Sequence, residues 1–170
     1  FKTLNKKKGR AVWSPRAQVD KRHYEKLVLK TLDVSNVVVL AGEVVSLVYD
    51  KGPKGYFTMF GLSPKQSIQM FFDSGANIVG TNCGNGSERM IEIMQEFRAE
   101  TKKPILVQAN AGIPIIKKND IIYPESPEFM MEQYKKLIDL GVSILGGCCG
   151  TTEKHIFEFS KIVRSHNESI

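Results

Sequence analysis

Four strand-like apolar runs alternate with four helix-like segments between residues 43 and 165, and this alternation limits the possible folds more than any other feature. The runs are rich in β-branched and aliphatic side chains, which favour strands, and they span residues 43–49, 78–82, 104–109 and 142–146. The predicted helices span residues 63–74, 87–101, 126–140 and 152–165. Strands and helices that alternate in this way form a parallel sheet with helical crossovers. The sequence therefore predicts an α/β fold made of parallel (β/α) units.

Capping residues mark the start of two of these helices. Ser63 is predicted as an N-cap because Pro64 suits the first helical position and Gln66 the capping-box position. The same Ser-Pro pair recurs at residues 126–127. Two long connections, residues 50–62 and 110–125, are predicted to be loops, and the length of the second favours a functional role.

The N-terminal part of the chain has a different character. Residues 1–16 are predicted to form an irregular basic arm, and residues 17–170 a single domain that begins with a helix at 17–32 and a strand at 36–40. The basic residues of the arm are Lys2, Lys6, Lys7, Lys8, Arg10 and Arg16. Such an arm can bind nucleic acid or an acidic partner, but it is more often a solvated terminus. Because no zinc-finger spacing or aromatic-basic pattern accompanies it, no nucleic-acid role is predicted.

All three cysteines of the chain fall where a strand-like run ends. Cys83 follows the run at 78–82, and Cys148 and Cys149 follow the run at 142–146. The carboxyl ends of parallel strands lie on the same side of a sheet, so these cysteines can converge. Three thiolates without a fourth protein ligand describe an open zinc site, since a closed structural site takes four. The alternative is three cysteines buried as small apolar side chains.

Four segments resemble the homocysteine S-methyltransferase family, especially its branch of cobalamin-dependent methionine synthases. Residues 146–156 (GGCCGTTEKHI) are similar to its C-terminal zinc motif, and residues 75–86 (GANIVGTNCGNG) to its first zinc-cysteine segment. Residues 110–112 (NAG) and 123–128 (YPESPE) also resemble it. The resemblance runs from about residue 44 to 163, in the family's order, and departs from it at Glu153, where the family often has proline.

This resemblance implies a zinc-dependent methyl transfer to the sulfur of homocysteine, giving methionine. Three thiolates suit that chemistry, because they hold a substrate thiol as its thiolate when free thiols with a pKa of about 8.5 are mostly protonated. The chain has no Asp-x-His-x-x-Gly segment of the kind that binds cobalamin. The resemblance therefore implies that a separate methylcorrinoid protein supplies the methyl group, with methylfolate, S-methylmethionine or betaine as alternatives. A non-catalytic zinc-binding module that stabilises a partner methyltransferase is the second hypothesis.

Four polar residues are candidates for holding the amino-acid end of the substrate. The resemblance suggests Asn82 and Asn110, each of which can equally well cap the end of a strand. Ser46 and Asp50, near the end of the run at 43–49, are further candidates. The three histidines fall on predicted helices and are interpreted as structural; these are His23, His155 and His166.

The resemblance also implies an assembly, because family members form an eight-stranded (β/α) barrel of roughly 250 residues. The 170 residues of this chain match only the second half of such a barrel. Four parallel strands leave two edges with unpaired backbone groups, which favours association. A homodimer is predicted. The alternatives are a partner chain that supplies the first half, or an open sheet with one edge covered by the N-terminal helix and strand.

Composition sets the remaining expectations. No run of about 18 apolar residues occurs, so no membrane span is predicted, and no signal peptide is visible. An odd number of cysteines, three, suits a reducing compartment where thiolates bind metal. A cytoplasmic location is therefore expected.

Overall fold

The computed structural model describes residues 2–4, 14–16, 42–84, 86–118 and 120–169. The chain divides into two compact units, residues 1–41 and 42–170. The predicted helix at 17–32 and the predicted strand at 36–40 lie outside the described residues, so the bounds of 1–16 and 17–170 for the arm and the domain stay a prediction.

The first unit contains a short antiparallel pair of strands. Strand β1 (Lys2–Leu4) pairs with strand β2 (Ser14–Arg16), with Lys2 opposite Arg16 and Leu4 opposite Ser14. The prediction that residues 1–16 are irregular throughout was therefore wrong. Strands of three residues are too short to show an alternation that distinguishes them from a basic loop.

The second unit is built from four successive strand-helix pairs, as the sequence predicts. Its central strands are β3 (Val44–Leu47), β6 (Ile78–Cys83), β7 (Ile105–Ala109) and β10 (Ile144–Gly147). The helices that follow them are α1 (Pro64–Asp73), α2 (Ser87–Glu100), α3 (Pro127–Asp139) and α4 (Glu153–Glu168). The four central strands form one parallel sheet in the order β10-β7-β6-β3. The α/β fold with parallel (β/α) units is confirmed, and it is consistent with the second half of a (β/α)8 barrel.

Two of the predicted loops each contain a hairpin. Strand β4 (Asp50–Gly52) pairs with β5 (Gly55–Phe57) inside the segment 50–62. Strand β8 (Ile115–Lys117) pairs with β9 (Asp120–Ile122) inside the segment 110–125. Both hairpins occur on the carboxyl side of central strands, β3 and β7. They were missed because each strand has only three residues.

Capping chemistry sets the helix starts. The Ser63 hydroxyl accepts a hydrogen bond from the backbone N–H of Gln66, and Gln66 Oε1 accepts one from the backbone N–H of Ser63, so the predicted capping box is present. Ser126 caps α3 in the predicted way. Helix α2 differs, because its N-cap is Gly86, which has no side chain to offer.

The helices form a layer on one face of the sheet, with each helix packed against the next along the chain. Strand residues that face this layer, such as Val79, Ile105 and Val107, are completely buried. The core also includes side chains from the helices, among them Met90, Met94, Phe97, Met130, Tyr134 and Leu137.

The edges of the sheet are less protected. On the edge strands, Val44 is 50% and Ile144 is 37% exposed. Among the described residues, no helix combines the length and the apolar character needed to cross a membrane.

Candidate metal centre

Cys83 is the last residue of β6 and has an unusual backbone conformation. Its φ of 58° lies in the left-handed region, and Gly84 follows with a φ of 68°. A residue with a β-carbon is strained there by about 1–3 kcal/mol, and such strain is concentrated at functional sites. The turn lets the chain leave the sheet and enter α2 within a few residues of the cysteine.

The backbone of β7 positions the other two cysteines. The N–H of Cys148 donates to the carbonyl of Ala109 at 2.9 Å, which continues the pairing of β10 with β7 by one residue. The N–H of Cys149 donates to Asn110 Oδ1 at 3.1 Å, and its carbonyl accepts from Ala111 N at 2.9 Å. Both cysteines are therefore tied to the loop that follows the neighbouring strand.

The three cysteines converge as the sequence predicts. Their Sγ atoms all lie within 4.8 Å of one another, with 2.8 Å between Cys83 and Cys148 and 3.9 Å between Cys148 and Cys149. None of them is in a disulfide. Sulfurs that bind one zinc ion tetrahedrally at about 2.3 Å lie about 3.8 Å apart, so the cluster has approximately the size of a zinc site.

The composition and exposure of this cluster also fit a metal with an open position. Cys83 and Cys148 are half-buried and Cys149 is exposed, so the sulfurs can be reached from solvent. Among the described residues, no histidine or carboxylate joins the cluster as a further ligand. Three soft sulfur donors suit zinc and leave a fourth coordination position for a small molecule.

Two of the four predicted substrate residues support Cys83. The side-chain amide of Asn82 donates to Cys83 Sγ at 3.3 Å, and Asn82 Oδ1 accepts from the Ser46 hydroxyl at 2.7 Å. Ser46 and Asn82 lie on neighbouring strands, β3 and β6. Their polar atoms therefore form a short chain that ends on a cysteine sulfur.

Asn110 links the two cysteine-bearing loops and is 8% exposed. Its amide nitrogen donates to the carbonyl of Gly84 at 3.1 Å, while its oxygen accepts from Cys149 N. Both ends of the side chain thus contact backbone next to a cysteine. This geometry is that of a strand-end cap, one of the two roles that the sequence leaves open.

Asp50 is the first residue of β4, is exposed, and is not part of the cysteine cluster. It lines an open cleft of about 290 Å³ together with Ser46, Val48, Thr58, Met59 and Phe60. The cleft is at the carboxyl end of β3, on the side of the sheet where the cysteines lie.

His155 has a structural role, as the sequence analysis expects. It is 5% exposed, and its Nδ1 accepts from the backbone N–H of Thr152 at 3.0 Å. Because Nδ1 is an acceptor, the proton is on Nε2, which donates to the carbonyl of Glu125 at 3.1 Å. His166 is on α4 and His23 lies outside the described residues.

Two residues near the cysteines, Tyr134 and Glu125, were not assigned from the sequence. The buried hydroxyl of Tyr134 accepts from Ala109 N at 3.1 Å and donates to the carbonyl of Gly146 at 2.7 Å, so it bridges β7 and β10. The Glu125 carboxylate accepts from the hydroxyl of Ser87 at 2.6 Å. In the sequence, Tyr134 is indicated by its spacing on the buried face of α3. Glu125 is indicated indirectly, because Gly86 at the N-cap of α2 has no side chain and leaves the cap to another residue.

Tyr123 packs beside the cysteine pair. Its ring fills the space that a β-carbon on Gly150 would need, and Gly150 has a φ of 79°. Burial raises the pKa of Tyr123, and the neighbouring charge of Cys149 raises it further. The glycine after the cysteine pair is therefore matched to the tyrosine that covers it.

A parallel (β/α) sheet with three converging cysteines at the carboxyl ends of its strands is an arrangement that could bind zinc, in a fold consistent with part of a (β/α) barrel. The model of the homocysteine S-methyltransferase family matches residues 27–163, and the chain belongs to this family.

Methionine synthases are among its curated relatives. The chain is 34% identical over 95 residues to the methionine synthase of Mycobacterium leprae (strain TN), a match that covers 55% of this chain and 8% of that protein. It is also 34% identical over 90 residues to the methionine synthase of Mycobacterium tuberculosis (strain ATCC 25618 / H37Rv), covering 52% and 8%. The matched segment thus spans a small part of each relative.

Proposed function

We propose that this chain is a zinc-dependent methyltransferase that moves a methyl group to a thiol, with homocysteine as substrate and methionine as product. The observation that carries the proposal is the convergence of three cysteine sulfurs within 4.8 Å in a chain that belongs to the homocysteine S-methyltransferase family. Methyl transfer to sulfur is the reaction that such a ligand set serves best.

Cys83, Cys148 and Cys149 would hold the zinc ion. When bound, zinc with three thiolate ligands keeps a substrate thiol in its thiolate form near neutral pH while the sulfur stays nucleophilic. The side-chain amide of Asn82 donates a hydrogen bond to Cys83 Sγ at 3.3 Å, which orients that sulfur. The backbone contacts of Cys148 and Cys149 keep their sulfurs on the same side of the sheet.

The amino-acid end of homocysteine is proposed to lie toward β3. Asp50 offers an exposed carboxylate for the ammonium group, and Ser46 and Asn82 offer polar atoms between that cleft and the sulfurs. Asn110 is the fourth candidate, through the second lone pair of its side-chain oxygen, although both ends of the side chain already bind backbone.

The methyl donor is proposed to be a methylcorrinoid on a separate protein. The substrate sulfur attacks the methyl carbon with its lone pair, the thiol proton is lost to solvent, and the electrons of the broken bond stay with the corrinoid. Both hairpins flank the carboxyl ends of central strands, where a large donor has to approach. Exposed apolar side chains near these strand ends include Met59 and Phe60, which follow β5, and Ile116 and Ile121, on β8 and β9.

A second candidate is a zinc-binding module without catalysis that completes or stabilises a partner methyltransferase. The observation that favours it is the sheet, whose four strands do not close on themselves within the described residues. The alignments with the two methionine synthases also cover only 8% of each of those proteins.

Methyl transfer to homocysteine, measured with the purified chain, zinc and a methylcorrinoid protein, tests the proposal. We expect methionine to form with the wild-type chain and not with a Cys148→Ser, Cys149→Ser double variant. Zinc X-ray absorption should change from three sulfurs and one light atom to four sulfurs when homocysteine is added. A wild-type spectrum that does not change at saturating homocysteine, together with no turnover, would favour the non-catalytic module.

A further inference from the structure

The Glu125 carboxylate caps a helix that is distant in sequence. Its Oε2 accepts hydrogen bonds from the hydroxyl of Ser87 at 2.6 Å and from the Ser87 backbone N–H at 3.0 Å. Ser87 is the first residue of α2, and it comes four residues after Cys83. Because Gly86 has no side chain, the cap that a serine or aspartate normally supplies at this position comes from Glu125, 38 residues away. A negative charge there also interacts favourably with the helix dipole.

The backbone of Glu125 contacts the two other parts of the centre. Its N–H donates to the carbonyl of Ala111 at 3.0 Å, and Ala111 N in turn donates to the carbonyl of Cys149. Its own carbonyl accepts from His155 Nε2 at 3.1 Å, and His155 binds the backbone of Thr152 just after the cysteine pair. One residue is thus linked to the Cys83 turn, to the loop after β7 and to the start of α4.

The space around this carboxylate depends on two glycines. A β-carbon on Gly86 would overlap the Glu125 carboxylate, and one on Gly112 would crowd Pro124 and the Glu125 side chain at about 3 Å. Both glycines have positive φ, 93° and 87°. A larger residue at either position would displace the Glu125 carboxylate from Ser87. The contact between Glu125 and Ser87 therefore requires glycine at both 86 and 112.

We infer that Glu125 is a positioning residue of the metal centre: it fixes the turn that carries Cys83 relative to Cys148 and Cys149. Cys83 is held in a left-handed conformation that it would leave if the start of α2 were free to move. The carboxylate does not touch the sulfurs. It acts through Ser87 and the Gly84 turn, and it keeps three thiols close before any metal binds. The use of this centre in thiol methylation rests on the function proposed above.

Zinc affinity measures this effect without reference to activity. Glu125→Ala should weaken zinc binding by about 10–100-fold in a chelator competition, the range found when partners of metal ligands are removed. Glu125→Gln keeps the shape and one acceptor oxygen but loses the charge, so a smaller loss is expected. Glu132→Gln is the matched control, because Glu132 is exposed on α3 and its carboxylate pairs with Lys135 on the same helix. Its zinc affinity should equal that of the wild type.

Amide hydrogen exchange in the zinc-free chain supplies the second measurement. The Ser87 N–H should exchange faster in Glu125→Gln than in the wild type, and the Ser67 N–H, which is bonded within α1 to the carbonyl of Ser63, should not change. Wild-type zinc affinity in both Glu125 variants, or unchanged Ser87 exchange in Glu125→Gln, would overturn the inference. If Glu125→Ala does not fold, the glutamine variant decides.

These measurements separate the inference from the proposed function. A chain that binds zinc with the expected dependence on Glu125 but does not bind homocysteine would contradict the function and support the inference. A chain that methylates homocysteine but whose zinc affinity does not change in the Glu125 variants would support the function and contradict the inference.

Discussion

Cys83 combines a side chain with a backbone conformation that residues with side chains rarely adopt. Cys83 needs a β-carbon to carry its sulfur, yet it occupies a left-handed conformation that glycine adopts more easily. The hydrogen bond from Asn82 and the anchored turn after Gly84 hold it there. A purely structural cysteine gains nothing from this conformation. The strain therefore supports a role for the thiol itself.

Zinc content tests this role at the scale of the residue. We expect about one zinc per chain, and each change of Cys83, Cys148 or Cys149 to serine should lower zinc affinity by orders of magnitude, because a neutral hydroxyl replaces a thiolate. Removal of zinc from the wild type by a chelator should lower its unfolding temperature, since a ligand that binds only the folded state stabilises it.

The chain has no fourth cysteine, so Ser165→Ala, an exposed position on α4, serves as the control for these variants. It should bind zinc as the wild type does. Full zinc occupancy in the Cys148→Ser, Cys149→Ser double variant would contradict the assignment of the ligands.

The sequence was sufficient to predict that the three cysteines converge, but not the contacts of Glu125 that surround them. The convergence of Cys83 with Cys148 and Cys149 follows from strand ends that meet at one edge of a parallel sheet. Glu125 leaves no such signal, because its contact with Ser87 joins segments 38 residues apart and depends on the packed loops. The predicted substrate residues Ser46 and Asn82 bond each other, a pairing that needs the strand register to be known.

At the scale of elements, local chemistry explains which predictions were correct. Helix starts were predictable because Ser63 and Ser126 satisfy backbone N–H groups within three residues. The hairpins were not, because three-residue strands gain stability from what surrounds them rather than from their own pattern. In the β4–β5 hairpin, Lys51 and Tyr56 both bind the Glu92 carboxylate of α2, at 2.6 and 2.8 Å. These two contacts lower the pKa of Glu92, Lys51 more than Tyr56.

The junction of β7, β10 and α3 gives a prediction at this scale. Tyr134→Phe keeps the ring stacked on Phe159, with centroids 4.1 Å apart, but removes the hydroxyl that bridges Ala109 N and the carbonyl of Gly146. A buried N–H and a partly buried carbonyl then lose a partner, which should cost about 1–3 kcal/mol of the free energy of unfolding. Denaturant titration at neutral pH measures the change.

Tyr56→Phe is the matched control, because the Tyr56 hydroxyl binds the largely exposed carboxylate of Glu92. Its loss should cost less than about 1 kcal/mol, since solvent can replace that contact. Equal effects in the two variants would mean that the bridge between β7 and β10 is not structurally important.

At the scale of the whole molecule, the two edge strands of the four-stranded sheet need a partner for their unpaired backbone groups. The outermost strands are β3 and β10, as the sequence predicts for the runs at 43–49 and 142–146. A groove of about 400 Å³ runs beside β10, and its apolar lining includes Val142, Ile144, Phe159 and Val163. Edge strands with unpaired backbone groups and adjoining apolar surface favour association with another chain.

A homodimer answers this requirement, because two four-stranded sheets contain the eight strands of a closed barrel. We predict a stable dimer in which β10 of each chain pairs with β3 of the other. If roughly 1,000 Å² or more is buried, at about 25 cal/mol per Å², the free energy gained exceeds the cost of association. Sedimentation at micromolar concentration should show twice the mass of 19.1 kDa.

Ile144→Lys should shift the chain to monomer by placing a charge at the β10 edge, whereas Ile121→Lys, in the β9 hairpin, should not. A wild-type monomer would contradict the prediction and point to another polypeptide, or another part of this chain, as the cover for the sheet.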